Sequence, residues 1–297
     1  DGKVIIKYLF PMDFEEYLIA INETKLLEEI RAHYQKNEPL LTAIHEKALD
    51  LYKKYLVLGG MPVMIKEFIK KDYQVSKVDF EIQDYIIATY LADMNKYTEN
   101  TEGIKNSKIY NAIPKELARE NNIFKYSIVS KDARKIRYES SLDWLLSSNM
   151  ILKCSLTERN ESPLKAFMSG DKFKIYLSDS GLLRALSNID YQEILLEKTK
   201  MYKGVLTENY VACELYTKTR ELYYYTFDKY EIDFLLKIEG EIIPVEVKSS
   251  RRTNSKSLNA YIKKYHPKYA IRISEKNFGF ENNVKSVPLY AVFCITK

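Results

Sequence analysis

YEIDFLL (residues 230–236) and IIPVEVK (residues 242–248) are two strand-like runs on either side of a turn at Glu239-Gly240. Both runs are rich in aliphatic and aromatic side chains, which favour strands. Two such runs separated by a short turn are typical of an antiparallel β-hairpin. We therefore expect a hairpin over residues 230–248.

The side chains of this hairpin alternate between its two faces, because successive residues of a strand point in opposite directions. The predicted apolar face comprises Ile232, Phe234, Leu236, Ile243, Val245 and Val247. Asp233, Glu246 and Lys248 project away from it and can converge on one patch of the sheet. Two carboxylates beside an ammonium are costly to desolvate unless a cation or a substrate binds there.

A third acid comes from the stretch GVLTENYVACELYTK (residues 204–218), which has the pattern of a helix. Glu208 shares a helical stripe with Val211, Ala212 and Leu215, and so lies on an otherwise apolar face. A helix acid, a strand Asp and a Glu-x-Lys follow one another as in a metal-dependent nuclease site. The alternative is an ordinary surface pair, since Glu-x-Lys is common on strands.

These residues resemble the PD-(D/E)XK nuclease pattern. The chain also resembles, over nearly its whole length, the C-terminal part of a family of bacterial and archaeal AAA+ ATPases. Those proteins join an ATPase core to a long domain of unknown function that ends in a nuclease-like fold. The blocks that carry this resemblance, in order, are Lys7–Tyr17, Tyr55–Pro62 with its Gly-Gly-x-Pro motif, Phe173–Leu183 and Gly204–Leu215.

The resemblance implies that Asp233 and Glu246 hold Mg²⁺ or Mn²⁺ and that Lys248 is the catalytic lysine. Glu208 would be the helix acid that completes the site. Mg²⁺ prefers carboxylate oxygens and keeps several waters, and the lysine would position a water or stabilise developing charge. The sequence contains no Gly-x-x-x-x-Gly-Lys-Ser/Thr, the loop that cradles ATP phosphates, so we expect no nucleotide site in these residues. An ATPase core is the implied partner.

The formal net charge of +5 permits nucleic-acid binding without demanding it. Basic residues are concentrated from Lys248 to Lys276, and we expect Arg251, Arg252 and Lys256 to contact a phosphate backbone. The alternative is a solvated surface helix. Three widely spaced cysteines fit a reducing compartment, and no long apolar run predicts a membrane span. We therefore expect a cytoplasmic protein that binds DNA and no membrane.

The predicted fold class is α+β, with three parts. Residues 1–100 form a helical region like an AAA+ lid, residues 101–185 a winged-helix-like domain, and residues 186–297 a mixed β-sheet flanked by helices, which is restriction-endonuclease-like. In a winged helix the recognition helix reads DNA with its first turns, so Arg134, Lys135 and Arg137 are candidate contacts. The alternative is that this domain serves only as a spacer between proteins.

The sequence thus predicts a nuclease-like portion of an AAA+ family ATPase that hydrolyses DNA phosphodiesters with Mg²⁺. The alternative is a non-catalytic module that binds nucleic acid or regulates an ATPase. The discriminating feature is the ligand set, because Asp233, Glu246 and Lys248 are all present.

Overall fold

The computed structural model describes residues 7–96, 100–119, 122–129, 135–198, 200–251 and 255–295. The helices are α1 (Phe14–Ala20), α2 (Thr24–Lys36), α3 (Thr42–Leu58), α4 (Pro62–Lys70), α5 (Glu81–Lys96), α6 (Asn100–Leu117), α7 (Lys135–Ser147), α8 (Ser180–Leu186), α9 (Tyr191–Leu195), α10 (Lys200–Thr219) and α11 (Lys256–Tyr265). The strands are β1 (Ile151–Thr157), β2 (Met168–Leu177), β3 (Leu222–Phe227), β4 (Tyr230–Ile238), β5 (Glu241–Val247), β6 (Ala270–Ser274), β7 (Gly279–Glu281) and β8 (Val284–Pro288). The predicted α+β class is confirmed.

The first helices begin and end where short motifs require. Asp13 caps α1: its side chain accepts the Glu16 N–H while the Glu16 carboxylate accepts the Asp13 N–H, which is a capping box. Gly59 ends α3, and Pro62 opens α4 at a position where its missing N–H costs nothing. The apolar run at residues 4–10 has the pattern of a short strand. Lys7–Phe10 form none, and residues 4–6 lie outside the described ranges.

The strands of the described residues form one sheet in the order β2-β1-β3-β4-β5-β6-β8-β7. The β4–β5 hairpin is confirmed, with Phe234 opposite Val245 and Leu236 opposite Ile243. Its turn at Glu239-Gly240 has positive φ at both residues, as a tight hairpin turn requires. Neighbouring strands are parallel in the pairs β1–β3, β5–β6 and β6–β8, so the sheet is mixed.

Each face of the sheet is covered by its own apolar core. The α10-side core contains residues of α10, of the sheet and of the N-terminal helices, and extends from Phe14 to Ile295. The smaller α11-side core packs Leu258 and Tyr261 of α11 against the opposite face. Burial of these apolar side chains is the main stabilising contribution to the fold.

A β-bulge changes the predicted apolar face of the hairpin. Phe234 and Leu236 pack in the α10-side core, but Ile232 packs in the α11-side core. On β3, Tyr223 pairs with Leu235 of β4 and Tyr225 pairs with Ile232. Two residues of β4, Asp233 and Phe234, therefore lie opposite one residue of β3, Tyr224. The extra residue interrupts the alternation, and the expectation that Ile232 shares a face with Phe234 is wrong.

Two other expectations about secondary structure are corrected. The polar residues 98–103 predict a break between helices. Residues 97–99 lie outside the described ranges, but α6 starts at Asn100 and packs against α5 and α7, so residues 100–103 are helical. The apolar run at residues 287–295 predicts a strand. The strand β8 ends at Pro288, and a 3₁₀ helix follows from Leu289 to Cys294, packed in the α10-side core.

The predicted domains 101–185 and 186–297 share this sheet, and the described residues of all three predicted domains, 1–100 included, contribute to the α10-side core. Helices do precede a β-hairpin in the middle segment, as in a winged helix. However, Cys154–Thr157 of that hairpin pair in parallel with Leu222–Tyr225 of β3. The hairpin is therefore one edge of the common sheet. No helix in the described ranges has both the length and the apolar character needed to cross a bilayer.

Candidate active site

The hairpin brings Asp233, Glu246 and Lys248 together, although the β-bulge at Asp233 interrupts the predicted alternation of β4. The register that pairs Phe234 with Val245 places Asp233 beside Glu246 on the neighbouring strand. The Asp233 Oδ2 accepts the backbone N–H of Val247 at 2.7 Å, which fixes the carboxylate against the end of β5. The Lys248 Nζ lies 2.6 Å from the Glu246 Oε1.

The two carboxylates are poorly compensated where they meet. The Glu246 side chain is only 5% exposed, and its Oε2 has no hydrogen-bond partner among the described residues. Burial raises the pKa of Asp233 well above its ordinary value, and the charges of Glu246 and Glu208 raise it further. Arg272 stands beside Glu246 in the β5–β6 register. Burial lowers the pKa of Arg272, although the negative charge of Glu246 acts to raise it. A bound cation would relieve this crowding of negative charge.

Glu208 reaches the same region from α10, but it has its own set of donors. Its Oε1 accepts hydrogen bonds from the Tyr176 hydroxyl at 2.6 Å, from Asn122 Nδ2 at 3.2 Å and from Lys174 Nζ at 3.3 Å. Burial alone would raise the pKa of Glu208, but the charge of Lys174 and these hydrogen bonds outweigh burial and lower the pKa. Glu208 is therefore held as a carboxylate.

Lys174 is the principal residue that the sequence analysis missed. It is 1% exposed, and its Nζ lies 2.7 Å from Glu231 Oε1 as well as near Glu208. Burial disfavours its charge, yet Glu208, Glu231 and Asp233 outweigh burial and raise the pKa of Lys174. A signal was available, because a lysine between Phe173 and Ile175 interrupts an apolar strand.

Tyr176, Glu231 and Asn122 were also missed as site residues. Tyr176 is two residues from Lys174 on β2, and Glu231 is two residues before Asp233 on β4. Spacing by two is the strand signal that could have linked each of them to a neighbour in the site. Asn122 lies between α6 and α7, and nothing in the sequence marks it.

The predicted nucleic-acid contacts are only partly within the described residues. Arg134 and Arg252 lie outside the described ranges, as do the side chains of Lys135 and Arg137. Arg251 is exposed and forms an ion pair with Glu46. Lys256 is exposed at the start of α11. Elsewhere in the basic segment, ion pairs join Lys264 to Asp228 and Lys268 to Glu239, so acids partly balance its charge.

The donor set suits a hard cation with few protein ligands. In the described part of the chain, no group of three or more His, Cys, Asp or Glu side chains is arranged to hold a metal. Asp233 and Glu246 form a pair, and Glu246 contributes a buried oxygen that lacks a donor. Mg²⁺ binds through one or two carboxylates and keeps several waters, so these residues fit such an ion.

Two family models match the chain. One, described as Domain of unknown function (DUF8612), matches residues 49–193, and the other, described as Domain of unknown function (DUF4143), matches residues 203–292. No curated protein and no solved structure matches. The four predicted catalytic residues lie in the second matched stretch, whereas Lys174, Tyr176 and Asn122 lie in the first. The second family accompanies AAA-type ATPase regions, in agreement with that part of the resemblance.

Proposed function

We propose that the chain hydrolyses phosphodiester bonds of DNA with Mg²⁺ or Mn²⁺, in a PD-(D/E)XK-like site, as part of an AAA+ family ATPase. One observation carries the proposal: the buried Glu246 oxygen without a hydrogen-bond partner belongs to a side chain beside a second carboxylate, that of the half-buried Asp233. Natural proteins rarely bury an unpaired carboxylate oxygen without a functional reason. A divalent cation supplies the missing partner for both acids.

Each residue of the site has a role that its surroundings allow. Asp233 and Glu246 would hold the metal ion, which supplies Lewis acidity and lowers the pKa of bound water. Lys248 keeps 34% of its side chain exposed, and its ammonium group is anchored by Glu246. It can therefore orient a water from the solvent side and stabilise charge that develops on a phosphate. Glu208 is held charged at the edge of the site by Lys174.

The experiment is cleavage of labelled single- and double-stranded DNA with Mg²⁺ or Mn²⁺. Asp233→Asn, Glu246→Gln and Lys248→Ala should each reduce the rate at least about 100-fold, a loss typical of removing one transition-state contact. Lys264→Ala is the matched control, because Lys264 is an exposed lysine of the same basic segment, paired with Asp228. Cleavage that needs no metal, or that survives in all three variants, would refute the proposal.

The second candidate is a non-catalytic module that binds nucleic acid or regulates an ATPase. It is favoured by the ion pairs of the site, since Lys248 already contacts Glu246 and Lys174 contacts Glu208. Under this proposal the acids would contribute to the packing of the domain and not to catalysis. Proteins that share the fold of an enzyme need not share its activity. DNA binding by the parent and by Lys248→Ala, with no cutting and no Mn²⁺ binding, would support this candidate against the nuclease.

A further inference from the structure

A row of four residues crosses the sheet from the candidate site to the edge at β7. Glu246 on β5 pairs with Arg272 on β6, Arg272 pairs with Ser286 on β8, and Ser286 pairs with Gly279 on β7. Residues that pair in this way point to the same face of a sheet. Both sequence neighbours of Arg272 pack in the α10-side core, so Arg272 and Glu246 project from the opposite face.

Arg272 and Glu246 carry opposite charges at adjacent positions, yet they do not pair with each other. The Nε of Arg272 is buried and has no hydrogen-bond partner among the described residues, and the same is true of Glu246 Oε2. Glu246 Oε1 instead contacts the Lys248 Nζ at 2.6 Å. The half-buried Arg272 side chain is attracted by Glu246 and by Glu281, but neither acid satisfies its Nε. Polar atoms left unpaired on two neighbouring buried groups are typical of a ligand site.

The two unpaired atoms need different partners. Glu246 Oε2 is an acceptor and can bind a cation, whereas the Nε–H of Arg272 is a donor and needs an oxygen acceptor. A guanidinium group presents its donors in a planar fork, which matches the oxygens of a phosphate. A nucleic-acid phosphate next to a divalent cation would satisfy both side chains together.

The row beyond Arg272 carries no bulky side chain. Ser286 is small, and a Cβ added at Gly279 would meet no atom within 4 Å. β7 is the last strand of the sheet, so the row ends at an open edge. A phosphodiester backbone can therefore approach Arg272 across Gly279 and Ser286.

We infer that Arg272 is a substrate-binding residue that holds a phosphate of the DNA backbone beside Glu246. The inference rests on the proposed function and deepens it, because it names a group of the chain that contacts the substrate. A contact from arginine to a phosphate fixes the position of the backbone and does not read the bases. Arg272 should therefore contribute equally to the binding of every DNA sequence.

The test is the binding of a short labelled DNA duplex at several salt concentrations, in Ca²⁺, which like Mg²⁺ binds carboxylate oxygens. Arg272→Gln should weaken binding about 10-fold, because a charge-assisted hydrogen bond is lost. The slope of log Kd against log salt should fall by about one, because one phosphate fewer is neutralised. A purely structural role would lower stability without changing this slope. Arg31→Gln is the matched control, since Arg31 is an exposed arginine that pairs with Glu15.

The outcomes separate the inference from the proposed function. An unchanged Kd and slope in folded Arg272→Gln would overturn the inference, and metal-dependent cutting by the parent would leave the nuclease proposal standing. A parent that binds DNA without cutting it would refute the nuclease, and the slope would still decide the phosphate contact. A parent that binds no DNA would overturn both.

Arg272→Lys decides the question should Arg272→Gln fail to fold, because it keeps the charge and most of the stem. It should bind DNA at least about 3-fold more weakly than the parent, since a lysine lacks the planar fork of donors. Binding as tight as that of the parent would overturn the inference.

Discussion

Asp179 and Gly60 are joined by a hydrogen bond in which the buried carboxylate oxygen Oδ2 accepts the glycine N–H at 2.7 Å. The other oxygen, Oδ1, accepts the N–H of Leu182 at 2.8 Å and so caps α8. One side chain thus fixes the start of α8 against the Gly59-Gly60 turn between α3 and α4. The arrangement explains why this turn has no room for a larger residue.

Gly59→Ala should destabilise the protein strongly. Gly59 has φ +73° and ψ −176°, a conformation essentially restricted to glycine, and an added Cβ would lie 2.2 Å from Asp179 Oδ1. Backbone strain and overpacking together should lower the free energy of unfolding by about 2–5 kcal/mol. Urea unfolding followed by circular dichroism measures this. Gly240→Ala is the control: φ is +87° there but no atom lies near the added Cβ, so we expect about 1 kcal/mol. Equal losses at the two sites would contradict the clash.

The buried ion pair between Lys203 and Glu275 should be sensitive to loss of either partner. The Lys203 Nζ lies 2.6 Å from Glu275 Oε1, and the side chains are 7% and 9% exposed. Lys203→Met leaves Glu275 buried and unpaired, so the free energy of unfolding should fall by about 3–5 kcal/mol. Lys203→Met combined with Glu275→Leu should recover most of this loss in a double-mutant cycle. Lys268→Met, at an exposed pair with Glu239, should cost under about 1 kcal/mol. If the stability losses of the two single variants simply add in the double variant, Lys203 and Glu275 do not stabilise each other.

Glu214 should make the protein less stable as the pH rises. Its Oε1 accepts the Phe14 N–H at 2.8 Å, and its Oε2 lacks a hydrogen-bond partner among the described residues. Burial raises the pKa of Glu214 well above its ordinary value, Asp13 and Glu16 add to this, and the Phe14 N–H and Lys218 oppose it. The folded state therefore keeps a proton that the unfolded state releases above about pH 4.3, and stability falls from there up to the raised pKa.

Glu214→Gln should remove this pH dependence, because a glutamine keeps the acceptor for Phe14 without ionising. Relative to the parent, the variant should gain stability as pH rises, by up to about 1.4 kcal/mol per pH unit within the window. Urea unfolding at several pH values between 5 and 8 measures the difference. Parallel curves for parent and variant would show that Glu214 keeps an ordinary pKa.

His45 should act in the opposite direction. Its Nε2 donates to the Glu275 carbonyl oxygen at 3.1 Å, so in the neutral ring Nδ1 accepts from the Tyr290 hydroxyl at 2.8 Å. Burial lowers the pKa of His45, against the smaller effects of Glu46 and of the Glu275 carbonyl. The unfolded chain takes up a proton first, so stability is lost as pH falls below 6.5, the ordinary pKa of the ring.

Proton NMR can follow this titration, because the sequence contains only three histidines. The resonance that disappears in His45→Gln identifies the ring, and its midpoint should lie below 6.5, the ordinary pKa of the ring. The variant should also lose less stability than the parent between pH 7 and pH 5. A midpoint for His45 at or above 6.5 would contradict the prediction.

The sequence predicted those parts of the site that depend on local periodicity. The patterns of β4 and β5 were enough to predict the hairpin and to put Glu246 and Lys248 two residues apart on β5, and the helical stripe placed Glu208 beside the buried Val211. The bulge was not predicted, because it depends on how β4 pairs with β3. The reach of Lys174 on β2 to Glu231 on β4 depends on the strand order β2-β1-β3-β4. That order comes from pairing between segments that are distant in the sequence, and a local sequence pattern does not specify such pairing.

The parallel pairing of Cys154–Thr157 with Leu222–Tyr225 has a practical consequence for anyone who shortens this chain. A fragment that starts at residue 186 would lack β1 and β2 and would leave the outer edge of β3 without a partner. That edge is the aromatic run Leu222–Tyr225, and an uncovered edge of this kind recruits strands from other molecules. We expect such a fragment to aggregate, so assays of Asp233 and Glu246 need a protein that retains residues 151–177.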